Sequence, residues 1–268
     1  NDARFFALDA AGEPDPETKA CHLRGTGEQR PRYLHQKCQL DNPDAALTVE
    51  EIEGGVLLEK YANGWQGIAS SDTPRFNQDF WEQPERCRGW VFLQSTVDGT
   101  LEYGGRSTVI FWEDGNGKMT EVCQENATFR GQAAWGKDGV VISQMRKLPA
   151  TLYTGDKFDC NCAIILPYDK KHLRAIWAYC CSSQYHDAVL AINQKVNVTN
   201  SMLVKVPFDL AHWQQVAAEK YPDGLPEPES DDPTQWLFHG RPDEAQEGTE
   251  LQVAVARLLG YRWPAELD

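Results

Sequence analysis

Residues 168–213 read YDKKHLRAIWAYCCSSQYHDAVLAINQKVNVTNSMLVKVPFDLAHW. Leu173, Ile176, Trp177 and Cys180 recur at helical spacing, and Val189, Leu190 and Ile192 follow Ser182-Ser183. The first half is therefore expected to form two helices. The period then changes. Val196, Val198, Met202, Val204 and Val206 alternate as a half-buried strand would, and Pro207 stops the run. Asp209 is suited to open a further helix. A helix pair, a strand and another helix in this order predict an α+β fold.

Upstream, Trp90-Val91-Phe92-Leu93, Thr108 to Trp112, Val140 to Ser143 and Cys162 to Leu166 are apolar, β-branched or aromatic. Glycine-rich breaks separate them, and Gly115-Asn116-Gly117 reads as a hairpin turn. The expected architecture is a mixed β-sheet with helices packed on it. Trp177, Tyr179 and Tyr185 belong to its core. A small helical extension over 249–259 carries Leu251, Val255, Leu258 and Leu259 as an apolar stripe that Gly260 ends. Before residue 61 the signals are weaker: a turn at 41–44 and a short helix over 45–53.

Composition narrows the function classes. The 268 residues are 41% hydrophobic, with nine tryptophans, enough to bury a core. No apolar run approaches the roughly 18 residues of a membrane span, and no secretory signal is visible. Eight cysteines are scattered, apart from Cys160/Cys162 and the adjacent Cys180-Cys181. Zinc-type C-x2-4-C pairs do not occur, so buried, reduced thiols in a cytoplasmic chain are expected. The first residue is Asn1 rather than Met, as in an excised or processed chain.

The formal net charge is -14, and it is unevenly spread. Residues 1–103 carry 10 basic against 18 acidic side chains, a balance of -8. Residues 222–268 carry 3 against 11, again -8. Residues 104–221 carry 13 against 11, which leaves +2. Only the middle of the chain could meet phosphates without strong repulsion.

The segment Gly67-Ile68-Ala69-Ser70-Ser71-Asp72-Thr73-Pro74-Arg75-Phe76 resembles the G-[IV]-x-[ST]-G-D-N-x-x-[FY] loop of a known family. That loop opens the target-recognition domain of type IIG restriction–methylation enzymes and of BREX-like defence-system adenine methyltransferases, a TaqI-like specificity domain. Ser71 replaces the usual glycine and Thr73 the usual asparagine. Gly131, Trp135, Lys137-Asp138-Gly139 and Tyr153-Thr154-Gly155 look like counterparts of a later family pattern. The closing LQVAVARLLGYRWP is similar to the segment that follows the domain. The resemblance covers most of residues 61–264.

That resemblance implies three segments: a scaffold over 1–60, a DNA target-recognition domain over 61–221, and an acidic connector with its helix over 222–268. It implies a bacterial, phage-defence setting, double-stranded DNA as partner, and the rest of a methyltransferase chain as a second partner. Arg75, Lys137 and Lys147 are expected on phosphates. Arg130, Gln132, Arg146 and Tyr153 are expected nearer base edges, since arginine and glutamine suit guanine and adenine.

No catalytic or metal-binding set is expected. The Asn/Asp/Ser-Pro-Pro-aromatic string of an adenine methyltransferase, and the glycine-rich turn that would hold S-adenosylmethionine, do not occur in the sequence. That cofactor and the methyl transfer are therefore expected elsewhere in the full-length protein. His172, His186 and His212 are isolated from one another. The competing expectation is an acidic protein-interaction or scaffold domain, drawn from the two negative flanks.

Overall fold

The computed structural model describes residues 3–8, 10, 13, 15–27, 30–40, 42, 45, 47–48, 55–70, 72–83, 89–122, 129–145, 147–193, 197–228 and 248–258. Several expectations lie outside them: Arg146, Ser71, Val196, most of the turn at 41–44 and of the helix over 45–53, Leu259 and the stop at Gly260. The N-terminal part pairs β1 (Arg4–Ala7) antiparallel with β2 (Arg32–His35) around α1 (Pro16–Leu23). Asp15 caps α1 by accepting the Glu17 and Thr18 N–H groups at 2.9 and 2.8 Å. The short α2 (Gln36–Gln39) follows β2.

The α+β expectation holds, with two four-stranded sheets among the described residues. The first runs β3-β10-β7-β8 and is antiparallel throughout. Along the chain its strands are β3 (Ala62–Gln66), β7 (Gly139–Ser143), β8 (Ala150–Tyr153) and β10 (Cys162–Pro167). The second runs β4-β6-β5-β9, built from β4 (Asn77–Asp79), β5 (Trp90–Gln94), β6 (Thr108–Phe111) and β9 (Lys157–Phe158). It is mixed, because β9 joins β5 in parallel. The link between two strands of the first sheet thus supplies a strand to the second.

Alternation along the first sheet explains its two packed faces. Val140, Ile142, Ala150, Leu152, Ala163 and Ile165 face a helical layer. That layer is α5 (Leu173–Cys180), α6 (Ser183–Ile192) and α7 (Leu210–Lys220). Val141, Cys162 and Ile164 face the other way, against Ala134 and Phe158. With both sides covered, β7 is buried at every residue, which is why it reads as an unbroken apolar run. The helix pair forms as expected, and Trp177, Tyr179 and Tyr185 are all core. Asp209 caps α7 by accepting His212 N–H at 3.2 Å.

Two expected strand features are corrected. Residues 197–208 do not form a strand: Met202–Val204 is a 3-10 turn, with isolated bridges at Asn197 and Pro207. Leu203, Val204 and Val206 are all buried, so the segment buries neighbouring side chains and not one alternating face. Side-chain bonds tie it to the first sheet: Gln144 Nε2 donates to the Val198 carbonyl at 2.8 Å, and the Asn200 side chain donates through Nδ2 to the Gly64 carbonyl at 2.7 Å. Around Gly115 there is no hairpin. The Glu113 carboxylate accepts Lys118 N–H at 2.8 Å and starts α4 (Lys118–Val122). That bond draws the chain after β6 into a helix.

The second sheet buries Ile68, Leu93, Ile110, Trp112 and Met119 with Phe76, the last residue of α3 (Thr73–Phe76). Its other face carries Phe80 and Val109, against which Val253 of α8 (Glu250–Leu258) packs. The expected stripe is therefore not the docked face: Leu251 and Leu258 are 73% and 87% exposed. Cys162 and Cys180 are buried, but Cys21 and Cys38 are exposed, against expectation. No helix among the described residues is long and apolar enough to cross a membrane.

Candidate nucleic-acid interface

The loop between α4 and β7 is pinned by glycine. Gly131 adopts φ +79°, and a Cβ there would lie 2.3 Å from the Phe158 ring and 2.7 Å from the Gln66 carbonyl. Only a residue without a side chain lets the backbone pass so close to β9 and β3. Ala134 is then fully buried, and Gly136 N–H donates to the Gly155 carbonyl at 2.8 Å. These anchors leave Arg130, Gln132 and Lys137 exposed on a single loop. Arg130 Nη1 donates to Gln66 Oε1 at 2.6 Å, so its partner is a neutral amide.

An aromatic group backs this loop. Trp112 stands edge-on to Trp135 and to Phe129, with centroid separations of 5.3 and 5.4 Å. Lys157 Nζ sits 4.9 Å from the Trp135 ring centre and 5.4 Å from that of Trp112, where the ring faces attract a cation. Arg75 is exposed at the end of α3, 5.1 Å from the ring of Phe76, which belongs to the same apolar cluster. Lys157 and Arg75 thus sit against rings of one aromatic cluster, and Arg130 and Lys137 lie on the adjoining loop.

The nearby acids are engaged elsewhere. Asp156 forms an ion pair with the buried Arg106, whose Nη1 also donates to Thr154 Oγ1 at 2.9 Å. Burial raises the Asp156 carboxyl above its usual range, while Arg106 and then Lys157 pull it back. Asp159 is also raised by burial, against hydrogen bonds from the Ser95 hydroxyl and the Asn161 backbone. Asp138 pairs with Lys170.

Two expected contact residues are not part of this surface. Tyr153 is 2% exposed, and its hydroxyl donates to the Asp156 carbonyl. A buried phenol already bonded within the fold has no free edge for a base, so it is corrected to a core residue. Lys147 is exposed but lies beyond the far end of β7 from Lys137. The five-residue β7, about 16 Å long, lies between them. Gly67 also has a different role from the close ligand approach that small residues suggest. A Cβ there would meet the Phe158 and Asp159 carbonyls at 2.2 and 2.3 Å, so its space is used by β9.

The sequence offers Lys157, bordering Gly155, as a candidate for contacting nucleic acid, but not its setting. Its place depends on Trp112, which is distant in sequence and brought near by the pairing of β9 with β5. No local spacing signals such a contact. Gln66, which holds Arg130, is not signalled by the sequence at all.

No family model matches the sequence, and no curated protein matches it. Among solved structures the chain is similar to MmeI, a type IIL restriction-modification enzyme whose structure is in complex with DNA. The alignment covers 89% of this chain and 37% of that one, at 10% identity and a TM-score of 0.43. The chain therefore spans well under half of that protein's length.

Proposed function

We propose that this chain binds double-stranded DNA through the loop carrying Arg130, Gln132 and Lys137, and sets sequence choice for a site-specific adenine-N6 methyltransferase. The carrying observation is that loop itself: three exposed DNA-compatible side chains, fixed by Gly131 and backed by Lys157 between Trp112 and Trp135. Arg75 and Lys137 take phosphates, while Arg130 and Gln132 reach base edges. The loop resemblance at Gly67–Phe76 supports the same reading, with residues 61–221 as the reading unit and a restriction or phage-defence setting. Methyl transfer and S-adenosylmethionine belong, in this proposal, to other parts of a longer protein.

The test is duplex affinity at two salt concentrations. Two neutralised phosphates predict a loss of about 12-fold between roughly 50 and 200 mM salt, because bound counterions are released on association. Affinity that does not respond to salt would remove the phosphate contacts from the proposal. Absence of duplex binding would favour the acidic interaction-domain reading.

A further inference from the structure

β3 is an edge strand of the first sheet, and Gln66 is its last residue. Both sides of Gln66 are fixed. Its register partner is Ala163 of β10, and beyond it the Gly67 backbone runs so close to β9 that a Cβ would lie 2.2 Å from the Phe158 carbonyl. Ile68 N–H then donates to that same carbonyl at 2.7 Å. From this anchored position Gln66 meets the basic loop twice. Its main-chain carbonyl leaves no room for a Cβ on Gly131, and its side-chain Oε1 accepts from Arg130 Nη1 at 2.6 Å. Among the described residues, no other hydrogen bond or ion pair engages Arg130.

An unrestrained arginine side chain samples many rotamers, and ordering it on binding weakens association. A hydrogen bond to a rigid strand removes part of that cost in advance. The partner's charge matters as well. A carboxylate would cancel the guanidinium, whereas an amide accepts the bond and leaves the positive charge whole. Nη1 is the donor used, so Nε–H and Nη2–H, two parallel donors on one edge of the plane, stay available. Guanine presents the O6 and N7 acceptors that such a pair contacts in the major groove. We propose that Gln66 is a positioning residue for DNA reading, and that the base it makes Arg130 select is guanine. This inference rests on the DNA-binding reading and adds to it a residue outside the loop and one base of the target site.

The experiment selects duplexes bound by the full chain from a pool randomised over about ten base pairs, one helical turn. Sequencing then reads the preferred base at each position. The parent is expected to enrich guanine at one position where Arg130→Ala has lost that preference by about five-fold or more. Gln66→Leu, which removes the acceptor, is expected to lower preference at that same position about five-fold and to leave the others unchanged. Gln66→Glu keeps an acceptor at the same reach and should keep the guanine, while its added charge weakens binding to all sequences alike. In an Arg130→Ala background Gln66→Leu should have no further effect, whereas a residue needed only for the strand would still lower binding. A different base at the Arg130 position, an unchanged motif in Gln66→Leu, loss of guanine in both Gln66 variants, or an effect that persists without Arg130 overturns the inference and leaves duplex recognition standing. A parent chain that enriches no motif removes the DNA-recognition reading, and this inference with it.

Discussion

The Arg106 guanidinium and the Asp156 carboxylate form an ion pair where the two sheets meet. Arg106, 9% exposed, precedes β6 of the second sheet, while Asp156 sits on the link that leaves the first sheet for β9. Removing one member of a buried pair strands the other in a poor solvent for charge. Arg106→Ala is therefore expected to cost about 3 kcal/mol in urea unfolding. The double change Arg106→Met with Asp156→Leu should recover more than half of it, because neither charge then remains. Equal losses in the single and double variants would show that packing, and not charge, is what Arg106 supplies.

Asp159 makes a pH-dependent contribution of the opposite sign to an ordinary surface carboxylate. Burial raises its pKa in the folded state above 3.8. The native protein therefore holds a proton that the unfolded chain releases, and this group's contribution falls as pH rises from 3.8 through the raised value. Asp159→Asn removes that titration while keeping a polar group beside Ser95. Relative to the parent, the variant should look best near neutral pH and progressively worse as the solution is acidified. Denaturation midpoints across that range check the slope, and a constant difference would contradict it.

Gly131→Ala tests the loop anchor. The new methyl group meets the Phe158 ring at 2.3 Å and sits on a φ of +79°. A stability loss of about 1–2 kcal/mol is expected from the strained backbone and forced shift. Duplex affinity should fall with it, since the loop's three exposed side chains move together. Calorimetry and a binding titration on the same sample separate the two effects.

Placement, and not charge alone, should decide which substitutions matter for DNA. Arg130→Ala or Gln132→Ala is expected to weaken duplex binding about ten-fold, the usual scale for a lost base or phosphate contact. Lys147→Ala, beyond the far end of β7 from that loop, should change it by less than about two-fold. Similar losses from all three would mean that the DNA lies along a different face.

Much of this fold is legible in the sequence where the cause is local. The buried run Val140 to Ser143, the helical spacing of Leu173, Ile176 and Trp177, and the Asp209 cap each follow from neighbouring residues. The failures arise where distant groups decide. Val198 to Val206 has the alternation of a strand, but the Gln144 side chain takes the Val198 carbonyl and the Asn200 side chain ties the segment to Gly64. Tyr153 resembles a contact residue until β8 turns it inward toward Phe158, with ring centres 5.7 Å apart. Lys157 gains its setting only when a two-residue strand lands beside β5.

That short parallel strand also constrains how the molecule is made. On the ribosome, β4, β5 and β6 emerge well before residue 157, and β3 must wait for residues 163–167, its pairing partners. The first sheet cannot be completed until β10 has been translated, after every strand of the second. Such long-range closures slow folding, so this chain is expected to reach its native state late and as a single cooperative event, with Phe158 among the last residues to settle.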